Sequence, residues 1–90
     1  MAHASILITV FNCDGYIQDS VASALSQTAN DFEVVVIDDG STDLTAKILD
    51  DGKDARLKVI HCQRMGRAKA LNFGLESCSS AYVAILVLQP

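Results

Sequence analysis

The sequence predicts an α/β domain, ordered β-α-β-α-β-α-β, with a parallel sheet covered by helices. Three observations carry that expectation. Four short apolar runs, Ser5–Phe11, Glu33–Asp38, Leu57–His61 and Ala81–Leu88, are rich in β-branched residues, as strands are. Three stretches with helical periodicity separate them. The runs are near-continuously apolar, which marks strands buried on both faces of a parallel sheet.

The elements follow in order. Ser5–Phe11 (SILITVF) is the first buried strand. Asp14 or Gly15 can cap the helix after it, where Ile17, Val21, Ala24, Leu25 and Thr28 form one apolar stripe. Glu33–Asp38 is the second strand and stops at Asp38-Asp39-Gly40. Ser41 or Thr42 can cap the second helix, Asp43 suits its positive first turn, and Leu44, Ile48 and Leu49 make its apolar face. A polar turn, Asp50–Asp54, leads to the third strand, Leu57–His61. After the loop Cys62–Gly66, a third helix runs from Arg67 to Cys78, with Leu71, Gly74, Leu75 and Cys78 on one side. Ser79-Ser80 breaks it, and Ala81–Leu88 is the fourth strand. Right-handed crossovers restrict such a chain to a few topologies.

Ninety residues, half of them apolar and a fifth charged, make residues 1–90 a single domain or part of one. The longest apolar run, Ala81–Leu88, falls far short of the ~20 residues that a membrane-spanning helix needs. The N-terminus lacks the basic and apolar regions of a secretory signal. Cys13, Cys62 and Cys78 are odd in number and widely spaced, so no zinc site or disulfide framework is expected. Reduced thiols in a reducing, cytoplasmic compartment are the expectation. Cys78 should pack on a helix face, with Cys13 and Cys62 partly exposed.

The net charge is −4, which disfavours nucleic acid and anionic membrane as partners. Its distribution is uneven. Residues 1–46 hold seven carboxylates and no Lys or Arg, and all seven basic residues lie between Lys47 and Lys69. These can be solvated faces, or one late basic residue can be aimed at an anionic ligand.

In an open α/β sheet, ligands bind beyond the carboxyl ends of the strands. That selects Thr9–Asp14, Asp38–Thr42, Cys62–Arg67 and Val87–Pro90. Neither a G-x-G-x-x-G fingerprint nor a P-loop follows the first strand. A receiver-like regulator is disfavoured too, because its acidic pair follows the first strand and here Asp38-Asp39 follows the second. Those two carboxylates repel each other and must face different surroundings. One could cap a helix while the other meets solvent, or one could accept hydrogen bonds from a base or ribose. Arg67 starts a helix, where a cation is unfavourable. An anion in the same crevice would explain it, as would a salt bridge to Asp38 or Asp39. His61 reads as a surface or half-buried residue. Tyr16, Tyr82, Phe32 and Phe73 read as packing residues. Phe11 reads equally as core or as a stacking surface.

Five stretches then combine: Ser5–Asn12 (SILITVFN), Ser26-Gln27-Thr28, Asp31-Phe32-Glu33, Val36–Asp43 (VIDDGSTD) and Gly66–Leu75 (GRAKALNFGL). In this order and spacing they resemble the N-terminal, nucleotide-sugar-binding portion of a family 2 glycosyltransferase of the GT-A fold, over nearly the whole chain. The resemblance implies a Rossmann-like sheet of strand order 3-2-1-4 and a nucleotide-sugar donor, most often a UDP-sugar. It implies that Thr9 and Phe11 line the base and ribose pocket, that Asp39 hydrogen-bonds the base, that Asp38 supports its loop, and that Arg67 reaches the base edge or diphosphate.

The sequence departs from the family in two places. Thr9-Val10-Phe11-Asn12 replaces the usual Pro-x-Tyr-Asn. Val87-Leu88-Gln89-Pro90 stands where the family has an Asp-x-Asp or Asp-Asp motif for Mg²⁺ or Mn²⁺. No metal ligand and no catalytic residue is therefore assigned, and the isolated chain is expected to be inactive, since the family's acceptor half is missing. The apolar edge of Ala81–Leu88 is expected to seek a partner, either a second copy in a homodimer or another chain completing the domain.

Overall fold

The computed structural model describes residues 4–27, 32–80 and 82–88. The elements are β1 (Ala4–Val10), α1 (Ile17–Gln27), β2 (Phe32–Asp39), α2 (Thr45–Asp50), β3 (Leu57–Cys62), α3 (Arg67–Ser77) and β4 (Tyr82–Leu88). The four strands form one sheet in the order β3-β2-β1-β4, every pair parallel. The expected α/β architecture and strand order are therefore found. Thr28, Asp31, Ala81, Gln89 and Pro90 lie outside the described residues.

Strand alternation divides the core in two. Ile8, Val10, Val34 and Val36 point to one face and pack with Ile17, Val21 and Ala24 of α1 and Leu49 of α2. Leu7, Val35 and Ile37 point to the other and meet Ala70 of α3. Leu7, Ile8 and Val34–Ile37 are fully buried, and each contributes about 1.5–3 kcal/mol of transfer free energy. Gly74 lets α3 settle on the sheet: a Cβ there would lie 2.6 Å from Leu7 Cδ1.

Several local expectations are corrected. Ser41 and Thr42 do not cap α2, which starts at Thr45 after Leu44, with no side-chain cap. Their side chains bond to another loop, and Asp43 Oδ1 instead accepts from the Thr45 N–H at 2.9 Å. Leu44 therefore precedes the helix and is exposed. Asp14 does not cap α1, whose first turn closes on the Cys13 carbonyl through the Tyr16 and Ile17 N–H groups. Cys13 is buried rather than partly exposed, Cys62 is half-buried, and Cys78 packs against the α3-side core. Tyr16, Tyr82, Phe73 and Leu75 are exposed rather than packed. Tyr16 sits in a turn, and Tyr82 begins an edge strand.

At the amino end of the sheet, Glu33 accepts hydrogen bonds from the Ser5 hydroxyl, from the Ser79 N–H at 3.0 Å and from the Ser79 hydroxyl at 3.1 Å. This carboxylate ties the α3–β4 connection to β1 and β2. The described residues contain no helix long and apolar enough to cross a membrane.

Candidate functional site

The carboxyl ends of β1, β2 and β4 meet the start of α3. The register places Thr9 beside Ile37 and Val87, and Val10 beside Asp38 and Leu88. By alternation, Thr9, Phe11 and Asp39 face the α3 side, while Asp38 faces the α1–α2 side. Thr9, Phe11, Asp39 and Arg67 line one crevice with Ala70 and Leu88. Four of the five sequence-predicted residues are thus brought together, and Asp38 is not among them.

Asp38 and Asp39 are each 2% exposed. Asp38 Oδ1 accepts from the Ser41 N–H at 3.1 Å, and its Oδ2 bonds to His61 Nδ1 at 2.8 Å. His61 Nε2 in turn meets Asp50 Oδ1 at 2.6 Å. Both ring nitrogens thus face acceptor-only oxygens, so the bridge is complete only when the imidazole carries two protons. The hydrogen bonds to Asp50 and Asp38 raise the His61 pKa above its ordinary value, against the opposing pull of burial.

Asp39 works on the other side. Its Oδ1 accepts from the Met65 N–H at 2.8 Å, and its Oδ2 accepts from the Gly66 N–H at 3.1 Å and Arg64 Nη1 at 2.8 Å. It therefore fixes the loop that launches α3, and Gly66 stands at that helix's N-cap. The ion pair suggested by sequence for Arg67 is made by Arg64. The Arg64 guanidinium also lies over the Phe11 ring, 3.7 Å from its centroid. Arg67 is exposed and makes no ion pair with the described residues.

The loops after β1 and β2 are laced together. Asn12, in the left-handed region at φ 52°, donates its N–H to Ser41 Oγ at 3.1 Å, and its Oδ1 accepts from the Thr42 N–H at 2.7 Å. Asparagine tolerates that conformation better than most residues. The Cys13 N–H reaches Thr45 Oγ1 at 3.1 Å, and the Asp14 N–H reaches Asp43 Oδ2 at 3.3 Å. Ser41, Thr42, Asp43 and Thr45 are consequently committed to loop shape. Gly40 permits the close fit, with φ +74° and a would-be Cβ only 2.5 Å from Arg64 N.

Thr9 Oγ1 differs from its neighbours. It is buried and has no hydrogen-bond partner among the described residues. An unmet buried polar group of this kind costs ~1–3 kcal/mol. Sequence reasoning missed Arg64, the bonds of Asn12 to Ser41 and Thr42, and the His61–Asp50 contact. Arg64 lies on the loop after β3, so the strand-end rule covered its position but not its side-chain chemistry.

The sheet and its crest define the class: an open, parallel α/β domain with a crevice at the carboxyl end of β1, where ligands of such sheets bind. The chain belongs to glycosyl transferase family 2, whose sequence profile matches residues 5–86. It is similar to an uncharacterized glycosyltransferase of Rickettsia bellii, at 40% identity over 86 residues, 94% of this chain and 12% of that protein. It is similar to the UDP-Glc:alpha-D-GlcNAc-diphosphoundecaprenol beta-1,3-glucosyltransferase WfaP of Escherichia coli, at 39% identity over 96% of this chain and 35% of that protein. A chondroitin synthase of Escherichia coli is 39% identical over 91% of this chain and 12% of its own length. The chain thus spans 12–35% of the length of these relatives.

The resemblance implies a divalent cation after β4, and the described residues do not fit one. Val87 and Leu88 offer hydrocarbon where a hard cation needs oxygen. The nearby Asp39 already holds three hydrogen bonds. No group of three or more His, Cys, Asp or Glu among the described residues is placed to hold a metal.

Proposed function

We propose that the chain is the donor-binding part of a glycosyltransferase and holds the nucleotide of a UDP-type sugar. The orphan Thr9 hydroxyl carries this reading, because it lies in the crevice where Phe11, Asp39 and Arg67 converge. Thr9 and Phe11 line the base and ribose pocket, and Asp39 accepts a base N–H. Asp38 shapes the Gly40–Thr42 turn from the opposite face. Arg67 supplies the positive charge for a phosphate or base edge. The likeness to a relative whose name specifies UDP-Glc supports the choice of nucleotide. On this reading the 90 residues bind donor without transferring its sugar on their own, and their three free thiols suit a cytoplasmic setting.

A titration with UDP followed by amide NMR, with and without Mg²⁺, tests the reading. Shifts at Thr9–Asn12, Asp38–Ser41 and Gly66–Arg67, indifferent to Mg²⁺ and weakened by Asp39→Asn, are expected. An unchanged spectrum at millimolar UDP would sink it.

A second observation favours assembly. β4 is an edge strand whose Tyr82, Ile85, Leu86 and Val87 are exposed. We infer that this edge pairs with a second copy, or with another chain that completes the sheet. Light scattering should give a mass that rises with concentration, and a constant monomer mass would count against pairing with itself.

A further inference from the structure

The crevice is too small for a base as it stands. Its volume is about 10 Å³, room for one water at most. Two larger hollows among the described residues lie elsewhere. One of about 260 Å³ sits between α1 and α2, and one of about 420 Å³ sits between α1 and β4. Neither gathers the residues at the strand ends. Binding at the crest therefore requires something to move, and the arrangement of Arg64 shows what.

Arg64 makes two contacts of the kind a nucleobase makes. Its planar guanidinium lies over the Phe11 ring at 3.7 Å, and it donates Nη1–H to Asp39 Oδ2 at 2.8 Å. A pyrimidine with a ring N–H would use the same aromatic face and the same acceptor. The Arg64 side chain is 47% exposed and hangs from a loop, so it can leave. The loop itself stays, because Asp39 holds it through the Met65 and Gly66 backbone N–H groups.

We propose that Arg64 is a latch on the donor site: its guanidinium substitutes for the base on Phe11 and Asp39, and a base binds only by displacing it. This rests on the donor-binding reading above and adds a selection rule to it. Only a planar group that carries an N–H donor replaces both contacts. Uridine therefore opens the latch, and inorganic diphosphate does not. The apparent affinity is lowered by the fraction of molecules with the latch closed.

The test uses the full 90-residue chain with labelled arginine. Before any ligand is added, Arg64 side-chain protons should show an upfield ring-current shift that Phe11→Leu abolishes. Uridine should move them to the positions of an unstacked arginine, whereas inorganic diphosphate should leave them stacked. Arg64→Ala should bind uridine about three- to tenfold more tightly than the wild type, as expected for removing a competing cation–π and hydrogen-bond contact. Arg64→Lys, which keeps the charge but loses the plane, should fall between. Unchanged or weaker binding by Arg64→Ala overturns the latch, as does uridine binding with Arg64 still stacked. Binding by Arg64→Ala where the wild type shows none supports it strongly. If neither protein binds at millimolar uridine, the donor reading fails and takes the latch with it. An unstacked Arg64 in the starting spectrum defeats the latch alone.

Discussion

Asp38 and Asp39 are neighbours in sequence and share no partner. One carboxylate meets Ser41 and His61 on the α1–α2 side, and the other meets Arg64, Met65 and Gly66 on the α3 side. Strand alternation separates their side chains across the sheet. That is how two adjacent carboxylates, each 2% exposed, coexist in one strand: each has its own side-chain partner, His61 or Arg64, and its own loop to hold.

Asp39→Asn should destabilise the fold by about 2–3 kcal/mol. The amide would turn an NH₂ group toward N–H donors and leave Arg64 unpaired. Urea unfolding of both proteins checks this. Asp39→Ala should cost at least as much, and a loss under about 0.5 kcal/mol for either variant would contradict the bonding described.

Thr9→Val should separate stability from binding. It removes an orphan hydroxyl at almost constant volume, so stability should hold or rise by up to about 1 kcal/mol. UDP binding should weaken. A parallel loss of both would show that the hydroxyl has a structural partner instead.

His61 gives the fold a pH dependence of definite sign. Its pKa is raised in the folded state by Asp50 and then Asp38. The stability it adds is therefore complete below the unfolded value, ~6.5, and is lost as the pH rises through the higher folded value. The urea midpoint of the wild type should fall as pH is raised from about 6 to about 9, and that of His61→Gln should fall less. Asp54 behaves oppositely at the acid end. Hydrogen bonds from the Arg56 side chain and backbone hold its pKa down to about 2, so its contribution is lost as pH falls toward that value.

Gly40 and Gly66 both have positive φ, +74° and +92°, but only Gly40 is crowded. Gly66→Ala should cost about 1–3 kcal/mol, from backbone conformation alone, because φ 92° with ψ 156° is a region that only glycine enters freely. Gly40→Ala should cost more, about 2–4 kcal/mol, because the new Cβ meets the Arg64 backbone. Thermal melts of the two variants measure the difference, and equal shifts would refute the packing account.

The strands were legible because their evidence is local: apolar runs of β-branched residues need no partner to be recognised. The same holds for α3, whose start at Arg67 was placed from sequence. The caps were not legible. Ser41 and Thr42 look like helix starters, yet their partner Asn12 lies 29 and 30 residues away in sequence. Thr9, Phe11, Asp39 and Arg67 could be placed in one crevice, because strand-end geometry and family motifs agree on them. Arg64 could not, since its stacking on Phe11 depends on the path of a loop between β3 and α3. The open edge of β4 was legible, since Ala81–Leu88 is the last strand of the pattern; the exposure of Leu75 was not, because apolar patterning reports what a residue prefers and not whether a neighbour covers it.

The pairing of β4 with β1 joins Ala4 to Tyr82 and Val10 to Leu88. The central strand therefore receives its second neighbour only when the last described strand is made. During synthesis β1, β2 and β3 can assemble first, while one side of β1 waits with its backbone groups unpaired for dozens of residues. Such long-range parallel pairing is slow, and a waiting apolar strand is open to the wrong neighbour. This segment of the nascent chain is thus open to mispairing between the emergence of β2 and that of β4, and a ribosome that paused after α3 would lengthen that exposure.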